Sequence, residues 1–424
     1  MNQEICIRPA GRVRWMICAL LFLATTINYI DRQILSLLKP MLDVEIGWTN
    51  EQFGVVNAAF QFAYAVSLLF FGWFIDRFGT KIGYAVSIGA WSLAAMAHAI
   101  VASFGGFLAA RVALGLGEGG NFPAAVKTVG AWFPKRERAL ATTLFNSGAN
   151  VGAVAAPLLV PLLASTLGWQ SAFLAAGLAG FLWLLLWIPL YSEPGAGRRV
   201  SSAELSWIRS DPPAPAVAPI PWAGLLRYRQ TWSFIAAKFL TDPVWWFFLI
   251  WLPDFFKKTR GLDIKQSWVL LVAIYSIVTV LSIGGGWLTG WFASRGWSPV
   301  RARKVSLLLF AAMVLPIATV NFCGDWMAVA LIGLAGASHQ AWSANLYTSV
   351  SDMFPNRAVA SVTGIGSMAG SIGGILFPII AGILLDRMGA GGYGFLFAYC
   401  AAAYLVAFAL NHLLAPRFAP VENA

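Results

Sequence analysis

Twelve apolar runs leave this chain few ways to fold: 14–37, 53–75, 82–103, 105–132, 139–164, 170–191, 231–253, 266–293, 303–322, 326–350, 360–385 and 393–414. Each approaches or exceeds the roughly 20 residues that carry a helix across the hydrocarbon core of a bilayer. In lipid a spanning segment must satisfy its own backbone hydrogen bonds, so an open chain of such runs can only be helical. The expectation is an all-α polytopic membrane protein with twelve transmembrane helices. Composition agrees, because 59% of the 424 residues are hydrophobic and 11% charged, against about a quarter charged in soluble proteins. A soluble enzyme is excluded on those grounds.

The net charge of +11, from 29 Lys plus Arg against 18 Asp plus Glu, fits basic cytoplasmic loops rather than a nucleic-acid partner. Cys6, Cys18, Cys323 and Cys400 are scattered without metal-ligand spacing, so neither a metal nor another cofactor is expected. The first run follows Arg8, Arg12 and Arg14, yet Asp31-Arg32 interrupts it where a signal peptide would show a small-residue cleavage site. It reads as a retained helix. Arg77 and Lys81 in the second-to-third link, and Lys135, Arg136 and Arg138 in the fourth-to-fifth, place those links and both termini in the cytoplasm. Lys257, Lys258, Arg260 and Lys265 after the seventh run go against that rule.

The polar stretch 192–230 carries Arg198, Arg199, Arg209, Arg227 and Arg229, and its prolines between Asp211 and Pro221 forbid a continuous helix. It is expected to be a cytoplasmic linker between an N-terminal six-helix half, 1–191, and a C-terminal one, 231–424. Ser201 with Glu204 suggests a capping box opening a short amphipathic helix around Leu205 and Ile208 at the cytoplasmic surface. The halves echo each other. Gly72-Trp73-Phe74-Ile75-Asp76-Arg77 recurs as Gly290-Trp291-Phe292-Ala293-Ser294-Arg295, Phe133-Pro134 recurs as Phe354-Pro355, and Gly152 with Pro157 matches Gly373 with Pro378. Two like halves are a common way to build alternating access around a central site.

The stretch from Gly72 through Asp76, Arg77, Gly79 and Lys81 resembles the GxxxDRxGxK signature of the major facilitator superfamily. Further words are similar to its anion:cation symporter branch. They are Asn28-Tyr29-Ile30-Asp31-Arg32, Arg111 through Glu118, Trp132-Phe133-Pro134 with Glu137-Arg138, and Ser351-Asp352-Met353-Phe354-Pro355. His339-Gln340-Ala341-Trp342-Ser343-Ala344 and Thr241-Asp242-Pro243-Val244-Trp245-Trp246 look most like bacterial hexuronate transporters. The resemblance implies a proton-coupled carrier of glucuronate or galacturonate in the bacterial inner membrane, working as a monomer on a small organic anion and protons. Galactonate, glucarate or tartrate transport and anion exchange are the alternatives. In the signature, the glycines allow close helix approach, and Asp76, Arg77 and Lys81 form a conformational latch. Ser294 replaces the acid in the second copy.

An ionisable group at membrane depth costs roughly 2.5–3.5 kcal/mol on insertion scales, so each calls for a partner, a wet cavity or a function. Arg32 is the expected ligand of the substrate carboxylate, because its guanidinium fork matches a carboxylate and stays charged; the resemblance points to the same residue. Asp31 lies about 100° round the helix from it and is open to a pair with Arg111. Arg111 and Glu118, seven apart, share a helix face. Glu118, a carboxyl group with little water around it, is the expected proton carrier; the resemblance implies that Asp31 takes part in proton coupling too, with Arg111 modulating one of the two acids. Lys127 either draws anions along the pathway or reaches the headgroups. Gly115, Gly117, Gly119 and Gly120 either admit a neighbouring backbone or leave room for solute. Sugar hydroxyls need neutral partners, which Tyr29, Tyr64, Asn150, His339, Gln340, Asn345, Tyr347, Ser367 and Ser371 supply. Lys238 and Asp242, four apart, are expected to pair for structural reasons, and Asp386-Arg387 to cap an outer helix end. No nucleophile–base set and no GxxxxGK[ST] loop is present, so neither an enzyme nor direct ATP drive is expected.

Overall fold

The structure is a computed structural model, described for residues 11–196, 199–210, 222–262 and 264–421. Among the described residues there is no strand, and every apolar run is helical. The first group comprises α1 (Val13–Ile46), α2 (Asn50–Phe78), α3 (Thr80–Ala97), α4 (Phe104–Glu118), α5 (Asn121–Trp132), α6 (Lys135–Leu167) and α7 (Gln170–Leu190). The linker holds α8 (Ser202–Ile208) and α9 (Trp222–Leu225). The second group comprises α10 (Arg229–Arg260), α11 (Ile264–Ser294), α12 (Pro299–Val314), α13 (Asp325–Met353), α14 (Asn356–Met388) and α15 (Gly392–Leu414). The fourth run alone becomes two α-helices, parted at Gly119-Gly120. By length and hydropathy, eight helical segments of the described residues qualify outright as membrane spans. Their outward faces are apolar, with Leu69, Leu93, Leu185 and Leu413 all more than 60% exposed, which suits lipid and not water.

Loop chemistry sets the helix ends. The chain leaves α1 through Gly47 in the left-handed region and enters α2 through a capping box of Thr49 and Gln52. Gly79, at φ 85°, makes the turn from α2 to α3, where a side chain would be strained. It therefore serves turn geometry, whereas a Cβ on Gly72 would meet nothing within 4 Å, so Gly72 admits no close approach in this arrangement.

The sequence echoes occupy matching places. Phe133 donates its amide to Val129 at 3.0 Å and Pro134 caps α6; Phe354 donates to Val350 at 2.9 Å and Pro355 caps α14. A Cβ on Gly152 would stand 2.6 Å from the Thr26 carbonyl of α1, and one on Gly373 2.7 Å from the Phe239 carbonyl of α10. Thus α6 packs on α1 as α14 packs on α10, and the two groups are built alike.

In the linker, Ser201 caps α8 by accepting the Glu204 amide at 3.1 Å. The Glu204 carboxylate accepts from the Val13 and Arg14 amides at 3.4 and 3.1 Å and from Arg14 Nη1 at 3.2 Å. Arg14 also binds Glu137 at 2.9 Å. Glu204 is fully buried, so α8 docks on the first helix group. Arg198, the stretch from Asp211 to Pro221, and the side chains of Asp76, Lys135, Arg136, Arg138, Lys265 and Ser351 lie outside the described residues.

Candidate functional site: a polar chamber between two helix groups

A chamber of about 560 Å³ lies between the groups. The first group gives it Tyr29 of α1 and the α6 stripe Thr142, Asn146 and Asn150; the second gives Trp245, Thr279, Ser282, His339 and Gln340. The α6 residues recur every four positions, which aims them at one side. Tyr29 and Trp245 lie near the middle of α1 and α10, and the α6 stripe lies in the half of that helix nearer the linker. Toward the opposite, far end lies a separate small pocket of about 20 Å³ beside Arg32, Asn57, Gln61, Arg111 and Trp246.

Arg32 stands one turn beyond Tyr29. Its Nε donates to Glu118 Oε2 at 2.7 Å, with side chains 8% and 0% exposed. The guanidinium carbon lies 4.4 Å from the Tyr64 ring centre, 5.3 Å from Tyr29 and 5.5 Å from Phe60. Three aromatic faces and one carboxylate therefore hold the cation, compensating its removal from water. Arg111 does not pair with Asp31. It donates from Nη2 to the Arg32 carbonyl at 3.1 Å and lies 5.2 Å from the Phe60 ring centre. Both Asp31 oxygens, Glu118 Oε1 and two Arg111 nitrogens are buried without a hydrogen-bond partner. Such a density of unsatisfied charge is costly in a core and marks a working site more than a packing device.

The glycines around Glu118 serve backbone approach. A Cβ on Gly115 would come 2.5 Å from the Phe60 carbonyl, and one on Gly117 2.5 Å from the Trp91 amide nitrogen. That packing seats Glu118 at the end of α4, facing Arg32. Lys127 donates to the Ile75 carbonyl at 3.0 Å, at the last turn of α2. Arg77 and Lys81 are exposed.

The remaining polar candidates separate into two sets. Tyr29, Asn150, His339 and Gln340 line the chamber. Asn345 instead joins α13 to α11, accepting from Thr289 at 2.7 Å. Tyr347 and Ser367 hydrogen-bond at 3.0 Å, and Ser371 donates to the Ser367 carbonyl at 3.0 Å. Lys238 pairs with Asp242 at 2.7 Å.

Sequence reading missed the closure of the far end. Lys39 binds Asp254 across the groups at 2.9 Å, Lys258 donates to Asn50 at 2.6 Å, and Tyr393 donates to Asp254 at 2.6 Å. Asp386 caps α2 of the other group, accepting the Asn50 and Glu51 amides at 2.9 and 2.7 Å. These contacts account for two of the basic residues that break the loop-charge rule: Lys258 is spent here, and Arg260 binds the Val320 carbonyl at 2.7 Å. A run of Lys and Arg beside Asp254 was the available signal. The chamber is thus closed at the far end and extends toward the linker end.

An all-helical bundle of two like groups around a polar chamber, with a buried ion pair beside it, has the architecture of a membrane carrier. Residues 21–378 match the Major Facilitator Superfamily, and the chain belongs to that family. It is a multi-pass membrane transporter and not an enzyme. The chain is 31% identical to a hexuronate transporter of Escherichia coli K12, covering 90% of each. It is 28% identical to a D-galactonate transporter of Escherichia coli O6:H1, covering 98% of each. A solved bacterial homolog of the human lysosomal transporter Spinster, in an inward-facing and occupied conformation, matches with a TM-score of 0.75 at 18% identity, over 96% of this chain and 98% of that one.

Proposed function

We propose that the protein is a proton-coupled symporter that takes up a sugar acid, a hexuronate first, across the bacterial inner membrane, with both termini and the linker end in the cytoplasm. The observation that carries this reading is the buried Arg32–Glu118 ion pair at 2.7 Å, next to Tyr29 and the chamber. A substrate carboxylate and the Glu118 carboxylate compete for one guanidinium. Protonating Glu118 neutralises it and leaves Arg32 to the substrate; losing that proton returns Glu118 to Arg32 and displaces the substrate. Here, with the far end closed, the re-formed pair favours release toward the linker end. The hydroxyls of the substrate meet Tyr29, Asn150, His339 and Gln340. Asp31, buried and unpartnered, is the second proton site, with Arg111 biasing it. The names of the hexuronate and galactonate relatives support the substrate class.

The test is uptake of labelled glucuronate into proteoliposomes, with other sugar acids as competitors. An inward proton gradient drives accumulation by the wild type, and Arg32→Ala abolishes it. Uptake that needs an internal counter-anion instead of the gradient identifies exchange, and normal uptake by Arg32→Ala removes the carboxylate role.

A further inference from the structure

The Lys238–Asp242 pair has no part in the mechanism above. On α10 the positions 238, 242 and 245 are spaced i, i+4, i+7 and form one stripe. Trp245 lines the chamber and stacks on His339, with ring centres 5.6 Å apart and planes at 5°. Asp242 therefore sits about one turn, roughly 4.5 Å along the axis, from that wall. Lys238 Nζ is 2.7 Å from Asp242 Oδ2, with side chains 5% and 19% exposed. Lys238 is also 4.5 Å above the Tyr347 ring centre, so its charge is enclosed on both sides. Gly370 of α14 gives the carboxylate its space, because a Cβ there would collide with Asp242 Oδ2. Asp242 Oδ1 is buried with no hydrogen-bond partner.

The surroundings of the chamber are electrically lopsided as a result. Behind Tyr29 on one side stands Arg32, 5.3 Å from that ring centre, whose only ion-pair partner among the described residues is Glu118. The other offers a lysine already neutralised by an acid on its own helix, and the acid is the more accessible member. A buried ion pair is weak as a stabilising device, because apolar residues of similar volume often serve as well. As a filter it has a clear use. Asp242 repels a second carboxylate and accepts a hydroxyl, and its spare oxygen is an acceptor in need of a donor.

We propose that Lys238–Asp242 is a charge selector at the distal end of the sugar-acid site. It admits ligands with one carboxylate and an uncharged polyhydroxylated remainder, and excludes dicarboxylate sugar acids. This rests on the functional reading above and adds the charge class of the substrate.

The experiment is binding of glucuronate and glucarate, which differ at the distal carbon, to the purified full-length protein by titration calorimetry. The wild type is expected to prefer glucuronate by about tenfold or more, the scale of a like-charge penalty in a desolvated site. Asp242→Asn uncovers Lys238, and glucarate then gains about tenfold relative to glucuronate. The double variant Lys238→Met/Asp242→Asn loses that gain, and Asp242→Ser serves if the asparagine variant does not fold. Equal binding of both acids by the wild type, or an unchanged ratio in the Asp242 variants, overturns the selector. Wild-type protein that binds neither acid refutes the functional reading itself, a distinct outcome.

Discussion

Replacing Asp254 by Asn should shift the protein toward an arrangement open at the far end. Asp254 Oδ1 lies 2.9 Å from Lys39 Nζ, and the two side chains are 1% and 0% exposed. Losing one partner of a fully buried ion pair costs about 3–5 kcal/mol when the other is stranded. Lys39 would not be stranded, because Asp43 at 2.6 Å and Asn50 at 3.0 Å remain, both in its own helix group. What disappears is the anionic partner across the groups; the asparagine Oδ1 remains as a neutral acceptor, so the loss is at most the about 1.5–3 kcal/mol of a hydrogen bond to a charged group. On that figure the closed-to-open ratio falls by at most roughly ten- to a hundred-and-sixtyfold, which shifts population toward the open form. Spin labels at Val44→Cys and Phe322→Cys report it, since these positions, one in each group, are 87% and 89% exposed. With the four native cysteines replaced by serine, pulsed EPR should show a longer distance gaining population in Asp254→Asn. Lys258→Met should have a smaller effect, because Lys258 is 28% exposed and its charge is partly screened. A distance distribution in Asp254→Asn identical to the wild type would refute the reasoning.

Two further substitutions test the packing. Gly117→Ala places a methyl 2.5 to 2.8 Å from the amide nitrogen, Cα and Cβ of Trp91 and should lower the melting temperature, at a cost of about 1–3 kcal/mol, whereas Gly72→Ala, facing open space, should not. Equal melting of the two variants would show that α4 does not depend on that contact. Glu204→Ala removes three hydrogen bonds to the start of α1 and should speed limited proteolysis within the linker. Cleavage at the wild-type rate would argue that α8 is held by other contacts.

Much of the architecture was legible because lipid allows so few forms. Apolar runs of sufficient length had to be helices, and the echoes Phe133-Pro134 with Phe354-Pro355 and Gly152 with Gly373 mark contacts that recur in both groups. Arg32, Arg111 and Glu118 stood out because charge at membrane depth is expensive. Their partners did not. Spacing along one helix cannot tell which acid an arginine on another helix will meet, and Arg32 took Glu118 while Arg111 took a backbone carbonyl. For the same reason the far-end closure stayed hidden, since Lys39 and Asp254 are 215 residues apart and no spacing along one helix links them. Asn345 was misleading in the opposite sense: a polar residue on a chamber-forming helix can be spent on packing against its neighbour.

Competition between Glu118 and a ligand carboxylate for Arg32 is most directly tested by counting hydrogen ions during binding. Calorimetry of glucuronate binding in buffers of different ionisation enthalpy gives that count. Wild-type protein should take up about one proton per glucuronate bound through this exchange, and Glu118→Gln should abolish that uptake while still binding the acid. Binding that moves no proton in the wild type, or proton uptake unchanged by Glu118→Gln, would contradict the account.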